Sequence, residues 1–327
     1  MRPKHWLKNA LVAFALIFGR RFAVADILTI VGGIVAFCLI SSAVYILNDI
    51  FDVENDRKHE VKKNRPVAAG LVSVRFAWFL MALLVILSIA LSIFTIIVRS
   101  VHFERMYPIN LTNAYNAFIA SYQARGLLLD YSGVPPEWLT SYRHFTVSMH
   151  FGTVILLIVY FVLNWGYSAK YKNIPIVDVL ILSSGFLIRI FYGAWMIGQP
   201  VSDWLYLTVL ALSLYMGLGK RRNELIALDE LAGETRKVLS LYTKDFLDKN
   251  MLVCLTLTIV FYSFWTLDLE NNMLVWSVPL VLTIVMRYSF LTEIKRFADP
   301  VDVLLNDKPL IFLTLMYMVF VAVFLIL

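Results

Sequence analysis

Three aspartates stand at the end of a long apolar segment. In NDIFDVENDR they are Asp49, Asp52 and Asp56, directly after an almost uncharged run. At about 100° per residue, one helix continuing through them would bring all three within an arc of about 60°. Crowded carboxylates repel one another unless a cation lies among them, and Mg²⁺ takes oxygen ligands and bridges to phosphate oxygens. The spacing therefore predicts a Mg²⁺ site on Asp49, Asp52 and Asp56, with Asn48 at the edge of the same face.

Basic residues follow these aspartates closely. Arg57, Lys58, Lys62 and Arg65 suit phosphate binding, because their hydrogen-bond donors carry a positive charge. The alternative for the lysines is that they serve only membrane topology, since cytoplasmic loops are rich in Lys and Arg. That alternative does not explain the aspartates, because acids gain nothing in a positively charged loop. Carboxylates for a metal beside cations for phosphate indicate a site that handles a diphosphate.

A second polar junction, YSAKYKNIPIVD, supplies three further candidates. Tyr167 either donates a hydrogen bond to a phosphate or anchors its helix at the membrane interface. Lys170 lies at the predicted cytoplasmic rim. Asp178 follows a proline that suits a helix start, so it either interacts with the dipole of that helix or makes a second metal or substrate contact. The residues alone leave these alternatives open.

Two candidate groups lie further along the chain. Arg189 is about three turns beyond Asp178 on the same face of one predicted helix. A charged residue inside a membrane helix faces the bundle interior, so Arg189 either forms a salt bridge with another helix or lines a cavity and binds phosphate. In GKRRNEL, Lys220 and Arg221 either mark the cytoplasmic side or close over a substrate. The polar loop at residues 229–250 receives no predicted role.

The whole chain has the composition of a membrane protein. Of its 327 residues, 60% are hydrophobic and 16% are charged, whereas soluble domains have about 45–50% apolar and about 25% charged residues. The apolar segments follow one another without a long linker, which predicts a single all-α domain over residues 1–327. The formal net charge of +6 falls in short loops between these segments, so it does not indicate nucleic-acid binding.

Nine segments are candidate membrane spans. They are residues 6–19, 27–47, 74–98, 147–166, 176–197, 203–219, 251–267, 272–290 and 310–327. With the amino terminus in the cytoplasm, 22 Lys and Arg residues fall inside and 6 fall outside, as the positive-inside rule requires. The three polar segments NDIFDVENDR, YSAKYKNIPIVD and GKRRNEL, called the three polar junctions below, then lie on the cytoplasmic side. An insert at about residues 99–146 lies outside, and its segment NAFIASYQARGLLLDY has the pattern of an amphipathic helix.

The amino terminus also imitates a cleaved secretory signal. It has a basic start, a short apolar stretch and an Ala-x-Ala at residues 23–25. Arg20 and Arg21 stand between that stretch and the supposed cleavage site, where charge is unfavourable. A short or tilted first helix is therefore the preferred interpretation.

Several segments resemble one known family. NDIFDVENDR matches the N-D-x-x-D-x-x-x-D pattern of the UbiA superfamily of membrane-embedded prenyltransferases. RPKHWLKN, SSAVYILNDIFDVENDRKHEVKKNRPVAAG, YSAKYKNIPIVDVLILSSGFLIRIFYGA and GLGKRRNEL are similar to its decaprenyl-phosphate phosphoribosyltransferase branch, in the same order over most of the chain. The sequence departs from the family in its second aspartate motif, which has one acid, Asp178. It also departs in the insert at 99–146, which is longer than expected.

The resemblance implies a UbiA-like helical bundle in a bacterial or archaeal cell membrane, with its active site facing the cytoplasm. It implies Mg²⁺-dependent transfer of 5-phosphoribosyl from phosphoribosyl diphosphate to a polyprenyl phosphate, and it adds Lys8 to the substrate-binding candidates. The alternative within the family is prenyl transfer from a polyprenyl diphosphate to an aromatic or other small acceptor. A transporter is a third hypothesis, but no internal repeat is evident. The sequence leaves the acceptor chain length and a homo-oligomer open.

Overall fold

The chain folds into a bundle of helices. The computed structural model describes residues 3–19, 22–58, 62–106, 137–231, 238–269, 272–294 and 300–326, and no β-strand occurs among them. In chain order the α-helices are α1 (Phe14–Phe18), α2 (Val24–Phe51), α3 (Val53–Lys58), α4 (Val74–Met106), α5 (Glu137–Ala169), α6 (Val177–Met196), α7 (Asp203–Leu231), α8 (Lys244–Asp268), α9 (Val278–Ile294), α10 (Pro300–Leu305) and α11 (Lys308–Ile326). A 3₁₀ segment at Pro3–Ala13 precedes α1. The predicted all-α class is confirmed.

Six helices in the described part of the chain are long and apolar enough to cross a membrane. They are Val24–Phe51, Val74–Arg99, Phe151–Ala169, Val177–Met196, Lys244–Asp268 and Met273–Ile294. Two shorter apolar helices, Trp6–Phe18 and Lys308–Phe324, match predicted spans at the two ends of the chain. The predicted span at 203–219 falls within α7 but is not among the six. The predicted count of nine spans is therefore not confirmed.

Two groups of helices pack around the interior of the bundle. α2 packs along α4 and against α5, α7 packs along α8, and α6 contacts both groups. Phe37 and Leu157 are fully buried in the first group, and Leu247 is fully buried in the second. Outward-facing apolar side chains such as Phe94 and Phe312 are 61% and 66% exposed. Helices that are apolar on every side suit a surrounding of lipid.

The first helical segment packs into the bundle. Pro3–Ala13 contacts α2 and α6, and Val12 is fully buried. Gly193 of α6 permits this contact, because a Cβ there would lie 2.1 Å from the Val12 carbonyl oxygen. This close approach holds the segment against α6. It places Lys8 and Asn9 beside the interior of the bundle.

Two long helices extend into the predicted insert from either side. α4 continues to Met106 and α5 begins at Glu137, so both pass the predicted insert boundaries at about 99 and 146. The predicted amphipathic helix NAFIASYQARGLLLDY lies outside the described residues. Arg99 on α4 donates hydrogen bonds to Asp26 on α2 and to the Ile197 carbonyl oxygen after α6. These contacts tie three helices together at the opposite end of α2 from the aspartates.

The aspartate segment is not one continuous helix. α2 ends at Phe51, Asp52 has a φ of −94° and a ψ of 4°, and α3 begins at Val53. Backbone hydrogen bonds still run from the Asp52 N–H to the Asn48 carbonyl oxygen and from the Asp56 N–H to the Asp52 carbonyl oxygen. The prediction of an uninterrupted helix is wrong at Asp52. The arrangement of the three carboxylates therefore depends on their contacts and not on their spacing alone.

Candidate active site

A polar cavity of about 240 Å³ lies where the three polar junctions meet. Separate parts of the chain supply its basic lining residues, namely Lys8, Arg65, Lys172, Arg189 and Lys220. Among the described residues that line the cavity, Asp52 is the acidic one. Five cations around a small space in a low-dielectric bundle attract a polyanion.

Arg65 joins two of the three aspartates. Its Nη1 donates to Asp56 Oδ2 at 2.6 Å and to Asp49 Oδ1 at 3.3 Å. Asp56 is only 3% exposed, and turns within residues 62–72 form the loop that returns Arg65 to it. One guanidinium thus compensates two carboxylates that would otherwise repel each other. Arg65 lines the cavity, whereas Asp49 and Asp56 do not.

Asp52 is held by a different cation. Lys172 Nζ contacts Asp52 Oδ1 at 2.5 Å, and both residues line the cavity. Lys172 comes from the 3₁₀ turn Tyr171–Asn173, so the pair joins the end of α2 to the connection between α5 and α6. Asn48 also lines the cavity, and its Oδ1 accepts a hydrogen bond from Ser168 of α5.

The oxygen donors at this end of the cavity suit Mg²⁺. Proteins usually bind Mg²⁺ through one or two carboxylates together with substrate phosphates and water. Asp52 supplies a carboxylate and Asn48 an amide oxygen to the lining. No group of three His, Cys, Asp or Glu side chains in the described ranges could hold a metal ion, and Asp49 and Asp56 converge on Arg65 instead. The arrangement fits a Mg²⁺ ion shared between Asp52 and a phosphate ligand, and does not present the predicted three-carboxylate site.

Arg189 is buried in the bundle and lines the cavity. It is 7% exposed and donates to Asn9 Oδ1 at 2.9 Å, to the Gly185 carbonyl oxygen and to the Tyr160 hydroxyl at 3.2 Å. Its guanidinium also lies over the Phe37 ring, 5.0 Å from the ring centroid. These partners are uncharged and leave the positive charge of Arg189 in place. An anion in the cavity would therefore be attracted to it.

Asp178 and Arg221 contact each other and do not line the cavity. Both are fully buried, and Arg221 Nε donates to Asp178 Oδ2. Arg221 also donates to Glu224 and, at 2.9 Å, to the hydroxyl of Tyr167. Opposite charges buried in a low-dielectric interior need each other as partners. The predicted substrate contacts of Asp178 and Arg221 are thus corrected to a buried ion pair that reaches the cavity through Tyr167.

Several other predicted basic residues lie away from the cavity lining. They are Arg57, Lys58, Lys62 and Lys170. Arg57 donates instead to the Ala68 carbonyl oxygen. Arg65 and Lys172 are the members of the two basic segments that line the cavity. Nearness in sequence to the aspartates does not distinguish these groups, because Arg65 contacts two aspartates whereas Arg57, which is closer in sequence, contacts the backbone of the loop.

A second cavity adjoins the polar one and is apolar. Its volume is about 400 Å³, and side chains of α1, α6, α7, α8, α9 and α11 line it. The two cavities share Lys8, Phe186, Ser213 and Met216. The Ser213 hydroxyl is buried and has no hydrogen-bond partner in the described structure. A ligand with a charged head and a hydrocarbon tail fits this pair of cavities.

Sequence reasoning missed Tyr242. It follows the 3₁₀ turn Leu239–Leu241, in the loop that received no predicted role. Its hydroxyl donates to Asp178 Oδ1 at 2.7 Å and accepts from the Ile176 N–H at 2.6 Å. Burial raises the pKa of Tyr242 to about 12, and the hydrogen bond to Asp178 acts in the same direction while that from Ile176 opposes it. The hydroxyl therefore keeps its proton at neutral pH. The apolar stretch VLSLY between charged segments is the sequence signal that this part of the loop docks on the bundle.

Comparison with known proteins agrees with the resemblance seen in the sequence. The UbiA prenyltransferase family matches residues 9–136. The decaprenyl-phosphate phosphoribosyltransferase of Corynebacterium glutamicum is 28% identical over 320 residues, which cover 95% of this chain and 80% of that protein. The protein of the same name from Mycolicibacterium smegmatis is 27% identical and covers 95% of this chain and 86% of that protein.

Solved structures share the fold of the chain. A UbiA homologue from Archaeoglobus fulgidus, solved bound to GPP and Mg²⁺, gives a TM-score of 0.59 over 99% of this chain and 94% of that one, at 16% identity. A UbiA homologue from Aeropyrum pernix K1 in its apo form gives a TM-score of 0.58, also at 16% identity. Likeness at this identity establishes the fold alone. The predicted UbiA-like bundle is confirmed.

Proposed function

We propose that the chain is a membrane-embedded transferase of the UbiA type and that it transfers 5-phosphoribosyl from phosphoribosyl diphosphate to a polyprenyl phosphate. The observation that carries the proposal is the junction of two cavities. One is small and lined by five basic side chains, and the other is larger and apolar. A lipid phosphate that reacts with a multiply charged sugar needs both environments side by side. The two phosphoribosyltransferases that resemble the chain over 95% of its length also support it.

The bond changes follow from the two substrates. A phosphate oxygen of the lipid attacks the anomeric carbon of the ribose, and the bond from that carbon to the diphosphate breaks. The diphosphate leaves with the electron pair, so positive charge gathers on the sugar and negative charge on the leaving group. No general base is needed, because a phosphate monoester is already anionic at neutral pH. The protein contributes orientation and charge stabilisation.

We assign the donor diphosphate to the end of the cavity that Asp52 lines. Arg65 and Lys172 both line this end and carry the positive charge that a leaving diphosphate requires. Tyr167 donates a hydrogen bond to a phosphate oxygen, because its own oxygen already accepts from Arg221. These groups come from three separate segments, so a correctly placed donor depends on the packing of the bundle.

We assign the acceptor to the region shared by the two cavities. Lys8 lines both of them, so it can contact the lipid phosphate while the tail stays in the apolar cavity. Arg189 and Lys220 add positive charge to the polar side of this region. A tail that moves from the bilayer into this cavity keeps apolar surroundings, whereas a small polar acceptor would lose its contacts with water there. The apolar cavity therefore favours a polyprenyl chain over a small acceptor.

Asp52 would hold Mg²⁺, with the amide oxygen of Asn48 beside it in the lining of the cavity. When bound, Mg²⁺ supplies positive charge that stabilises the departing diphosphate. In this assignment Asp49 and Asp56 act by holding Arg65. The distribution of Lys and Arg along the sequence supports a site that opens to the cytoplasm.

Transfer of label from the donor to lipid tests the proposal. Membranes containing the protein are incubated with ribose-labelled phosphoribosyl diphosphate, a polyprenyl phosphate and Mg²⁺, and are then extracted with butanol. We expect labelled lipid from the native chain and none from Asp52→Ala. Glu54→Ala is the matched control, because Glu54 is an exposed acid two residues away and its variant is expected to keep native activity.

Two results would overturn parts of the proposal. Full activity of Asp52→Ala would remove the metal assignment. Product formed only when a prenyl diphosphate and an aromatic acid are supplied would replace phosphoribosyl transfer by prenyl transfer. A thermal midpoint close to that of the native protein would show that each variant is folded.

A further inference from the structure

Residues 238–242, just before α8, pack against α6 and α7. Val238 is fully buried and Leu239 is 3% exposed. Both lie in one core with Val179 of α6 and Leu218 of α7. This packing fixes the position of Tyr242 at the start of α6. A residue in a loop with no predicted role is thus part of the bundle.

Ile176 has a backbone conformation that L-residues rarely adopt. Its φ is 69° and its ψ is −48°, and the Val177 N–H donates to the Pro175 carbonyl oxygen at 2.8 Å. Together these describe a γ-turn with positive φ, which is rare and strained. Such a conformation persists only where the surroundings hold it, and it is often found at functional sites. The contact that holds it here is the hydrogen bond from the Ile176 N–H to the Tyr242 hydroxyl, at 2.6 Å.

A continuous series of hydrogen bonds runs from Tyr242 to the cavity. The Tyr242 hydroxyl donates to Asp178 Oδ1, and Asp178 Oδ2 accepts from Arg221 Nε. Arg221 Nη2 then donates to the Tyr167 hydroxyl. A guanidinium has donors only, so the Tyr167 oxygen must be the acceptor and its own hydrogen is left for another acceptor. Tyr167 lines the cavity.

We propose that Tyr242 is a positioning residue for the substrate site. It fixes the carboxylate of Asp178, Asp178 fixes Arg221, and Arg221 sets the direction in which Tyr167 donates into the cavity. Partners one layer behind a binding group commonly determine its orientation. The inference rests on the proposed function only in taking the ligand of Tyr167 to be a phosphate.

Binding of inorganic diphosphate with Mg²⁺ to the purified protein, measured by calorimetry, tests this inference. Tyr242→Phe removes the hydroxyl and keeps the buried ring. We expect it to weaken binding about tenfold, as loss of one well-placed hydrogen bond to a charged group does. Tyr167→Phe is expected to weaken binding by a similar factor. The double variant should be no weaker than Tyr167→Phe, because Tyr242 acts through Tyr167.

Tyr192→Phe is the matched control. Tyr192 is fully buried on α6 and donates a hydrogen bond to Ser92, yet it lines neither cavity. Its variant loses one buried hydroxyl as Tyr242→Phe does, and it is expected to bind diphosphate like the native chain. Native affinity for diphosphate in Tyr242→Phe would overturn the inference. It would also be overturned if Tyr242→Phe combined with Tyr167→Phe lost affinity by the product of the two single factors. Absence of diphosphate binding in the native chain would overturn it as well.

A second variant separates positioning from simple support of the fold. Glycine adopts positive φ without strain, so adding Ile176→Gly to Tyr242→Phe should restore the thermal midpoint. We expect diphosphate affinity to stay low in this double variant, because Asp178 still lacks its hydroxyl partner. Recovery of both properties would show that the hydroxyl only supports the backbone, which would overturn the inference. If diphosphate binds as expected but no label reaches lipid, the proposed function fails and this inference stands.

Discussion

Asp56 is expected to affect the reaction through Arg65 and not as a metal ligand. In the structure its carboxylate lies 2.6 Å from Arg65 Nη1 and outside the cavity lining, whereas Asp52 is part of that lining. Replacing Asp56 by Asn removes the charge and keeps the size of the side chain. Arg65 then loses the negative charge of its closer partner and is held less firmly in its position. Asp52→Asn, in contrast, removes the carboxylate that we assign to Mg²⁺.

The size of the effect follows from burial and from the second partner. Removing one member of a buried ion pair costs about 3–5 kcal/mol. The Arg65 side chain is 25% exposed and keeps Asp49 as a partner at 3.3 Å. Solvent and Asp49 therefore offset much of the cost of losing Asp56. We therefore expect a loss of about 1–2 kcal/mol from Asp56→Asn. If this free energy is lost from stabilisation of the transition state, kcat/KM falls about tenfold.

The assay is transfer of labelled phosphoribosyl to lipid over a range of Mg²⁺ concentrations. Asp56→Asn should lower kcat/KM and leave the Mg²⁺ concentration for half-maximal activity within about twofold of the native value. Asp52→Asn should raise that concentration by about tenfold or more, because the ion loses a charged oxygen ligand. Arg65→Met should lower kcat/KM further than Asp56→Asn, because it also removes the charge that we assign to the diphosphate, and it should likewise leave the Mg²⁺ requirement near the native value.

Combining the variants decides whether Asp56 and Arg65 form one unit. Asp56→Asn added to Arg65→Met should cost little more than Arg65→Met alone, because Asp56 acts through Arg65. Asp52→Asn added to Arg65→Met should multiply the losses. A rise in the Mg²⁺ requirement of Asp56→Asn as large as that of Asp52→Asn would refute the reasoning. The three aspartates would then bind the metal together, as the sequence spacing predicts.

Three further expectations follow from the packing. Gly193→Ala should lower the thermal midpoint by the equivalent of about 1–3 kcal/mol, because its Cβ would meet the Val12 carbonyl oxygen at 2.1 Å. Gly219→Ala, whose Cβ meets only the flexible end of Met251 at 3.3 Å, is the control measured beside it. Met216→Trp should block the junction of the two cavities, so lipid labelling should fall while diphosphate binding persists. The affinity ratio of native protein to Tyr242→Phe should stay constant between about pH 6 and pH 9, because a pKa raised to about 12 keeps the hydroxyl protonated throughout.

The fold could be predicted largely from apolar segments, and the site only in part. Long runs such as 74–98 give a clear signal, because a lipid-spanning helix must be apolar along its whole length. The spacing of Asp49, Asp52 and Asp56 also indicated correctly that the carboxylates need a nearby cation. It could not show that the helix stops at Phe51, because no glycine or proline marks that position.

The pairing of charged residues that are far apart in the chain could not be predicted from the sequence. Asp178 and Arg221 are 43 residues apart, and each alone resembles a substrate contact. Their mutual hydrogen bond becomes visible only when α6 and α7 are packed. Tyr242 was missed for the same reason, because its partner is the start of α6 and not a neighbour in sequence. Contacts of this kind depend on the approach of helices, which propensity and periodicity do not specify.

Charge balance favours a divalent cation in this cavity if the proposed substrates bind there. The described lining carries five basic side chains and one carboxylate. The proposed substrates bring a 5-phosphate, a diphosphate and a lipid phosphate, and each phosphate monoester alone carries about −1.5 to −2 at neutral pH. Negative charge therefore exceeds the positive charge of the lining, and burying an uncompensated charge is costly. A Mg²⁺ ion held by Asp52, as we propose, would reduce that excess while Arg65 stays in place, so the Mg²⁺ dependence of Asp56→Asn distinguishes this arrangement from a site on all three aspartates.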